Sequence, residues 1–67
     1  MKVEKQMSVK DRTLIVGVPQ YDTIPKKVNA GNRVFNVIGV SQGVKIPFLS
    51  LEIEKTTFNL EGKTVRA

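Results

Sequence analysis

Gly39, Ser41 and Gly43 stand in the order G-x-S-x-G, the spacing of a nucleophile elbow that lifts a serine hydroxyl clear of its sheet. Such a serine reacts only when a neighbouring base takes its proton, most often a histidine. This chain has no histidine. It also lacks the length for the parallel sheet and helices that hold an elbow. Two glycines beside a serine at the end of an apolar run are what a turn requires, and the segment reads as a turn.

Glu52 and Glu54 form a second candidate pair. On a strand they share one face at a spacing of roughly 6–7 Å, and paired carboxylates act as acid and base in sugar hydrolysis. Here they alternate with Leu51 and Ile53 and have Lys45 and Lys55 near them in sequence. That is the pattern of a solvated strand face, where charge keeps a sheet soluble. With neither cysteine nor histidine, the chain has no zinc-ligand set, and no glycine loop suited to phosphate occurs. No catalytic residue, metal site or cofactor is expected.

A third constellation is basic and aromatic. Tyr21 lies in a proline-bounded loop, and Phe48 falls on the polar side of its strand. Lys26, Lys27, Arg33 and Lys45 are the cations expected near them. Aromatic platforms beside cations that track a phosphate backbone are how small barrels hold single-stranded nucleic acid. The sequence has only three phenylalanines and one tyrosine, and Phe35 and Phe58 read as core.

The elements that must position these residues are β-strands. The chain is organised around residues 33–55, RVFNVIGVSQGVKIPFLSLEIEK, two apolar runs joined by a glycine-marked turn. In the second run Leu49, Leu51 and Ile53 alternate with Ser50, Glu52 and Glu54, a half-buried strand with one wet face. In the first run both alternating sets are mostly apolar, which predicts a strand covered on both sides or curling through a small barrel, and Gly39 predicts a bend or bulge within it. Upstream, residues 3–9 and 12–18 form two strands joined by Lys10-Asp11 as a hairpin, with Leu14, Val16 and Val18 facing inward. Residues 26–29 are a short strand that turns through Ala30-Gly31-Asn32 into the central run. Each proline follows a β-branched residue (Val18, Ile24, Ile46), so the prolines punctuate extended segments. Residues 61–63 read as a turn and 64–66 as a short closing strand or a tail. No window carries a capped helical stripe.

The expected fold is therefore a single all-β domain over residues 1–67, with five or six short, mostly antiparallel strands curled into a small barrel or rolled sheet. The expected core is Leu14, Val16, Val18, Val34, Phe35, Val37, Ile38, Val40, Leu49, Leu51, Ile53 and Phe58.

Composition bounds the function. Eleven Lys/Arg against six Asp/Glu give a net charge of +5, with seven basic and three acidic groups in residues 1–33. A core this small gains from additional buried area, and disulfides are excluded. The N-terminal stretch MKVEKQMSVKDR has no signal-peptide core, and no apolar run approaches the ~20 residues of a membrane span. A cytoplasmic location fits the absence of cysteine. The function expected first is a non-enzymatic binding module acting on a protein partner or on a second copy of itself. The alternative is a nucleic-acid-binding domain that uses the basic N-terminal half with Tyr21 and Phe48 as stacking groups.

Overall fold

The computed structural model describes residues 1–19, 23–41, 45 and 47–67. Its five strands are β1 (Val3–Val9), β2 (Arg12–Gly17), β3 (Lys27–Ala30), β4 (Arg33–Ser41) and β5 (Leu49–Glu54). They form one sheet in the order β1-β2-β5-β4-β3, with every pair antiparallel. The fold is all-β, as the period-2 patterning predicts.

Both tight hairpins follow from turn chemistry. Val9 pairs with Arg12 across Lys10-Asp11, and Lys10 takes a φ of 44°. A two-residue turn matches the strand twist only with positive φ, so the lysine accepts the left-handed region here. Ala30 pairs with Arg33 across Gly31-Asn32, and Gly31 supplies a φ of 66° at no steric cost.

Two bulges decide which residues face the core. Pairing between β1 and β2 slips by one residue between Val3 and Lys5, and pairing between β4 and β5 slips between Val37 and Gly39. Gly39 thus does mark a bulge. Each slip swaps the faces of every residue beyond it. Val3 is fully buried while Met7 and Val9, beyond the slip, are exposed. On β4, Phe35 and Val37 face inward before the bulge, and Val40, paired with Leu51, faces inward after it.

The core comprises Met1, Val3, Ile15, Val28, Ala30, Phe35, Leu51, Ile53, Leu60 and Val65, with Val37, Val40, Leu49 and Phe58 packed against it. Several sequence expectations are corrected by this. Val18, Val34 and Ile38 are exposed, and β2 turns Thr13, Ile15 and Gly17 inward; of the expected Leu14, Val16 and Val18, Val16 is buried, but from the outer face, and Leu14 is half-buried. Leu14-Ile15-Val16 is apolar at consecutive positions, so alternation does not choose its face. The choice is made at Gly17, where a Cβ would lie 2.1 Å from the Lys2 carbonyl oxygen. Only a glycine lets the N-terminal segment pass that close.

The sheet is not closed into a barrel, because β1 and β3 are its edges and do not pair with each other. The C-terminal segment touches both. Val3 donates to the Lys63 carbonyl at 2.9 Å and accepts from the Gly62 N–H at 2.8 Å. Asn29 and Arg66 exchange a pair of backbone hydrogen bonds on the β3 side. Gly62, at φ 80°, makes the turn that sends Leu60 and Val65 into the core.

Candidate binding groove

The inner face of the sheet is chemically closed. Its buried hydroxyl among the described residues, Thr13 Oγ1, accepts the Thr56 N–H at 3.0 Å and donates to the Thr56 carbonyl at 3.3 Å. Gln6 spans the gap between β1 and the C-terminal segment, donating to the Phe58 carbonyl and accepting the Leu60 N–H. Polar groups enclosed in this way are satisfied and offer nothing to a ligand.

The outer face has two regions. Across the β2–β5–β4 centre it is polar and paired. Arg12 Nη1 donates to Glu52 Oε1 at 2.5 Å and Arg12 Nε to Asp11 at 3.2 Å. These hydrogen bonds, first that to Asp11 and then that to Glu52, hold the guanidinium above its ordinary pKa. The bond from Arg12 likewise holds the Asp11 carboxyl below its ordinary value. Glu54 Oε1 accepts the Asn36 N–H at 2.9 Å. Glu52 and Glu54 are therefore each committed to a structural partner, as expected of a solvated strand face.

Towards the opposite end of the same face lies an open depression of about 510 Å³, lined by Glu4, Lys5, Met7, Val16, Lys45 and Phe48. β1 supplies Glu4, Lys5 and Met7, and β2 supplies Val16. The β1 bulge is what turns Lys5 and Met7 outward. The far wall comes from the connection between β4 and β5, where the Phe48 N–H donates to the Lys45 carbonyl at 2.8 Å. That turn fixes an aromatic ring and a lysine beside one another. Met7 is 47% exposed and Phe48 41%, unusually accessible for such large apolar side chains. Among the described residues neither Lys5 nor Lys45 has an ion-pair partner.

The structure divides the six residues of the basic and aromatic constellation. Lys45 and Phe48 share the groove. Lys26 and Lys27 are exposed beside β3, the edge of the sheet opposite β1. Arg33 is drawn to Phe58, its guanidinium carbon 4.2 Å from the ring centroid, a cation–π contact that occupies the cation within the fold. Tyr21 lies outside the described residues, as do Gln42 and Gly43 of the G-x-S-x-G segment. Ser41 stands opposite Ser50 in the β4–β5 ladder, and the chain holds no histidine to serve it.

Sequence reasoning missed Glu4, Lys5 and Met7 as lining residues and placed Val16 in the core alone. The signal was present in part. A lysine between Val3 and Met7 at strand spacing is out of place on a buried face, and it foretells a change of face within β1. Among the described residues no cluster of His, Cys, Asp and Glu is suited to a metal ion, and no helix is long and apolar enough to cross a membrane. No protein-family model, curated protein or solved structure matches the chain, so the functional reading rests on the geometry of the groove.

Proposed function

We propose that the protein is a non-enzymatic binding module that docks a protein partner through the groove on the outer face of β1 and β2. The observation that carries this reading is the grouping of Met7, Val16 and Phe48 in one open depression of about 510 Å³. Apolar side chains gathered in a concavity exclude water from whatever fills it, and a soluble domain gains nothing from leaving Met7 and Phe48 exposed beside the buried Val16. The sheet beneath is read as rolled. Support comes from residues 62–66, whose hydrogen bonds to Val3 and to Asn29 bring the two edge strands to either side of one segment. A rolled sheet gives the groove a rigid floor.

The test is cross-linking from inside the groove. A photoreactive phenylalanine analogue at position 48, irradiated in the native host, is expected to give a discrete adduct that is lost when Met7 is changed to serine. The same analogue at position 34, on the outer face of β4, is expected to give none. Adducts of equal yield from both positions, or from neither, rule the reading out.

A further inference from the structure

We infer that the groove takes an acidic, apolar peptide segment: an apolar side chain seated among Met7, Val16 and Phe48, with flanking carboxylates on Lys5 and Lys45. The inference rests on the proposal that the groove is a docking site and adds the chemistry of the occupant.

The apolar part follows from the lining. A thioether, a branched aliphatic chain and an aromatic ring offer no hydrogen-bond donor to orient a polar ligand. Met7 in particular adapts its shape to different apolar guests. The acidic part follows from charge. Lys5 and Lys45 both line the depression and neither is neutralised by an ion pair among the described residues, on a chain whose net charge is +5. Opposite charge at the rim of an apolar site speeds encounter and rejects partners of the wrong sign. Among the described residues Glu4 is the one carboxylate of the lining. It opposes an acidic occupant, and so provides an internal control of opposite sign.

Two other occupants fit less well. A second copy of the chain docked by the same face would set Lys5 and Lys45 of one against those of the other, and like charges in such a contact oppose association. Single-stranded nucleic acid needs a row of cations that follows its backbone. Here Lys26 and Lys27 lie by the other sheet edge, Arg33 is stacked on Phe58, and Glu4 sits in the groove itself.

The experiment is selection from a random peptide library displayed on phage, with the full chain as bait and the Phe48→Ser chain as counter-selection. Selected peptides are then measured by fluorescence anisotropy. The expected result is enrichment of Asp and Glu around a leucine, methionine or phenylalanine. Lys5→Glu and Lys45→Glu should each weaken binding about two- to five-fold, as rim charge pairs do. Glu4→Gln should strengthen it, and Phe48→Ser should lower it about ten-fold or more. All four side chains are outside the core, and matching thermal midpoints confirm that folding is unchanged. Enrichment of neutral or basic apolar peptides that still need Phe48 overturns the acidic occupant and leaves the docking reading standing. Enrichment indifferent to Phe48→Ser overturns both. Tighter binding of an oligothymidylate than of any selected peptide, or a dimer by sedimentation that Phe48→Ser dissolves, replaces the peptide with nucleic acid or with a second copy.

Discussion

Thr13 and Ser50 are both buried hydroxyls on neighbouring strands, yet they belong to opposite faces of the sheet. Thr13 faces inward beside Ile53 and trades two hydrogen bonds with Thr56. Ser50 faces outward, opposite Val16 on one side and Ser41 on the other, and its Oγ has no hydrogen-bond partner among the described residues. The inner face is finished: apolar groups are packed and polar ones are paired. The outer face is only partly so. Part of it is closed by Arg12, Glu52 and Glu54, while Met7 and Phe48, beside the buried Val16, keep apolar surface open to solvent. A completed face stabilises the fold, and an uncompleted one is available for something else. The contrast teaches where to look for function in a chain with neither histidine nor cysteine.

Substitutions of graded effect can break or sharpen this contrast. The largest is expected at Gly17. A Cβ there would meet the Lys2 carbonyl oxygen at 2.1 Å and Met1 Cγ at 2.8 Å, and a backbone oxygen pinned between β1 and the C-terminal segment cannot step aside. Gly17→Ala should cost about 3 kcal/mol or more. A chain of this length has roughly 3–10 kcal/mol of stability in total, so urea denaturation should find the variant largely unfolded. A midpoint near that of the parent would mean that the N-terminal segment does not cross β2 there.

Thr13→Val comes next. It keeps the shape but removes the acceptor of the Thr56 N–H, stranding a partly buried donor, at a cost of about 1–3 kcal/mol. Ser50→Ala is the matching change on the outer face. With no hydrogen bond to lose, it should be neutral or stabilising by up to about 1 kcal/mol. Measured side by side in the same denaturant series, equal losses for the two variants would show that Ser50 does have a partner and that the faces are not so different.

The smallest effect is expected at Met7. Met7→Thr replaces an exposed apolar side chain with a good strand former and should shift stability by no more than about 0.5 kcal/mol. A loss near that of Thr13→Val would place Met7 in a packed contact rather than in an open groove. Thermal and chemical denaturation would both report it.

Much of the fold was legible in the residues. Alternation from Leu49 to Glu54 and the Gly31-Asn32 turn identified β5 and the β3–β4 hairpin, because both signals are local. Phe35, Leu51 and Ile53 were found in the core for the same reason. Two of the six groove residues, Lys45 and Phe48, were recognised as residues without a place in that core. Alternation fixes which residues share a face, yet it does not say which face is buried. Leu14-Ile15-Val16 satisfies either choice, and Leu60 and Val65 stand on opposite sides of the residue 61–63 turn, which no single alternation spans.

What the sequence determined by itself is the class of the protein: extended strands, tight turns at positive φ, no histidine, no cysteine, and a surplus of positive charge. The tertiary structure decided the rest. The bulge between Val3 and Lys5 turned Met7 outward, and the contact of Lys2 with Gly17 set the face of β2. The C-terminal segment, caught between the edge strands, carried Leu60 and Val65 inward. Each of these is a meeting of residues distant along the chain, or a one-residue slip against a partner strand. The first leaves no mark in a local pattern whose period is two, and the second leaves only a hint, such as Lys5 between Val3 and Met7.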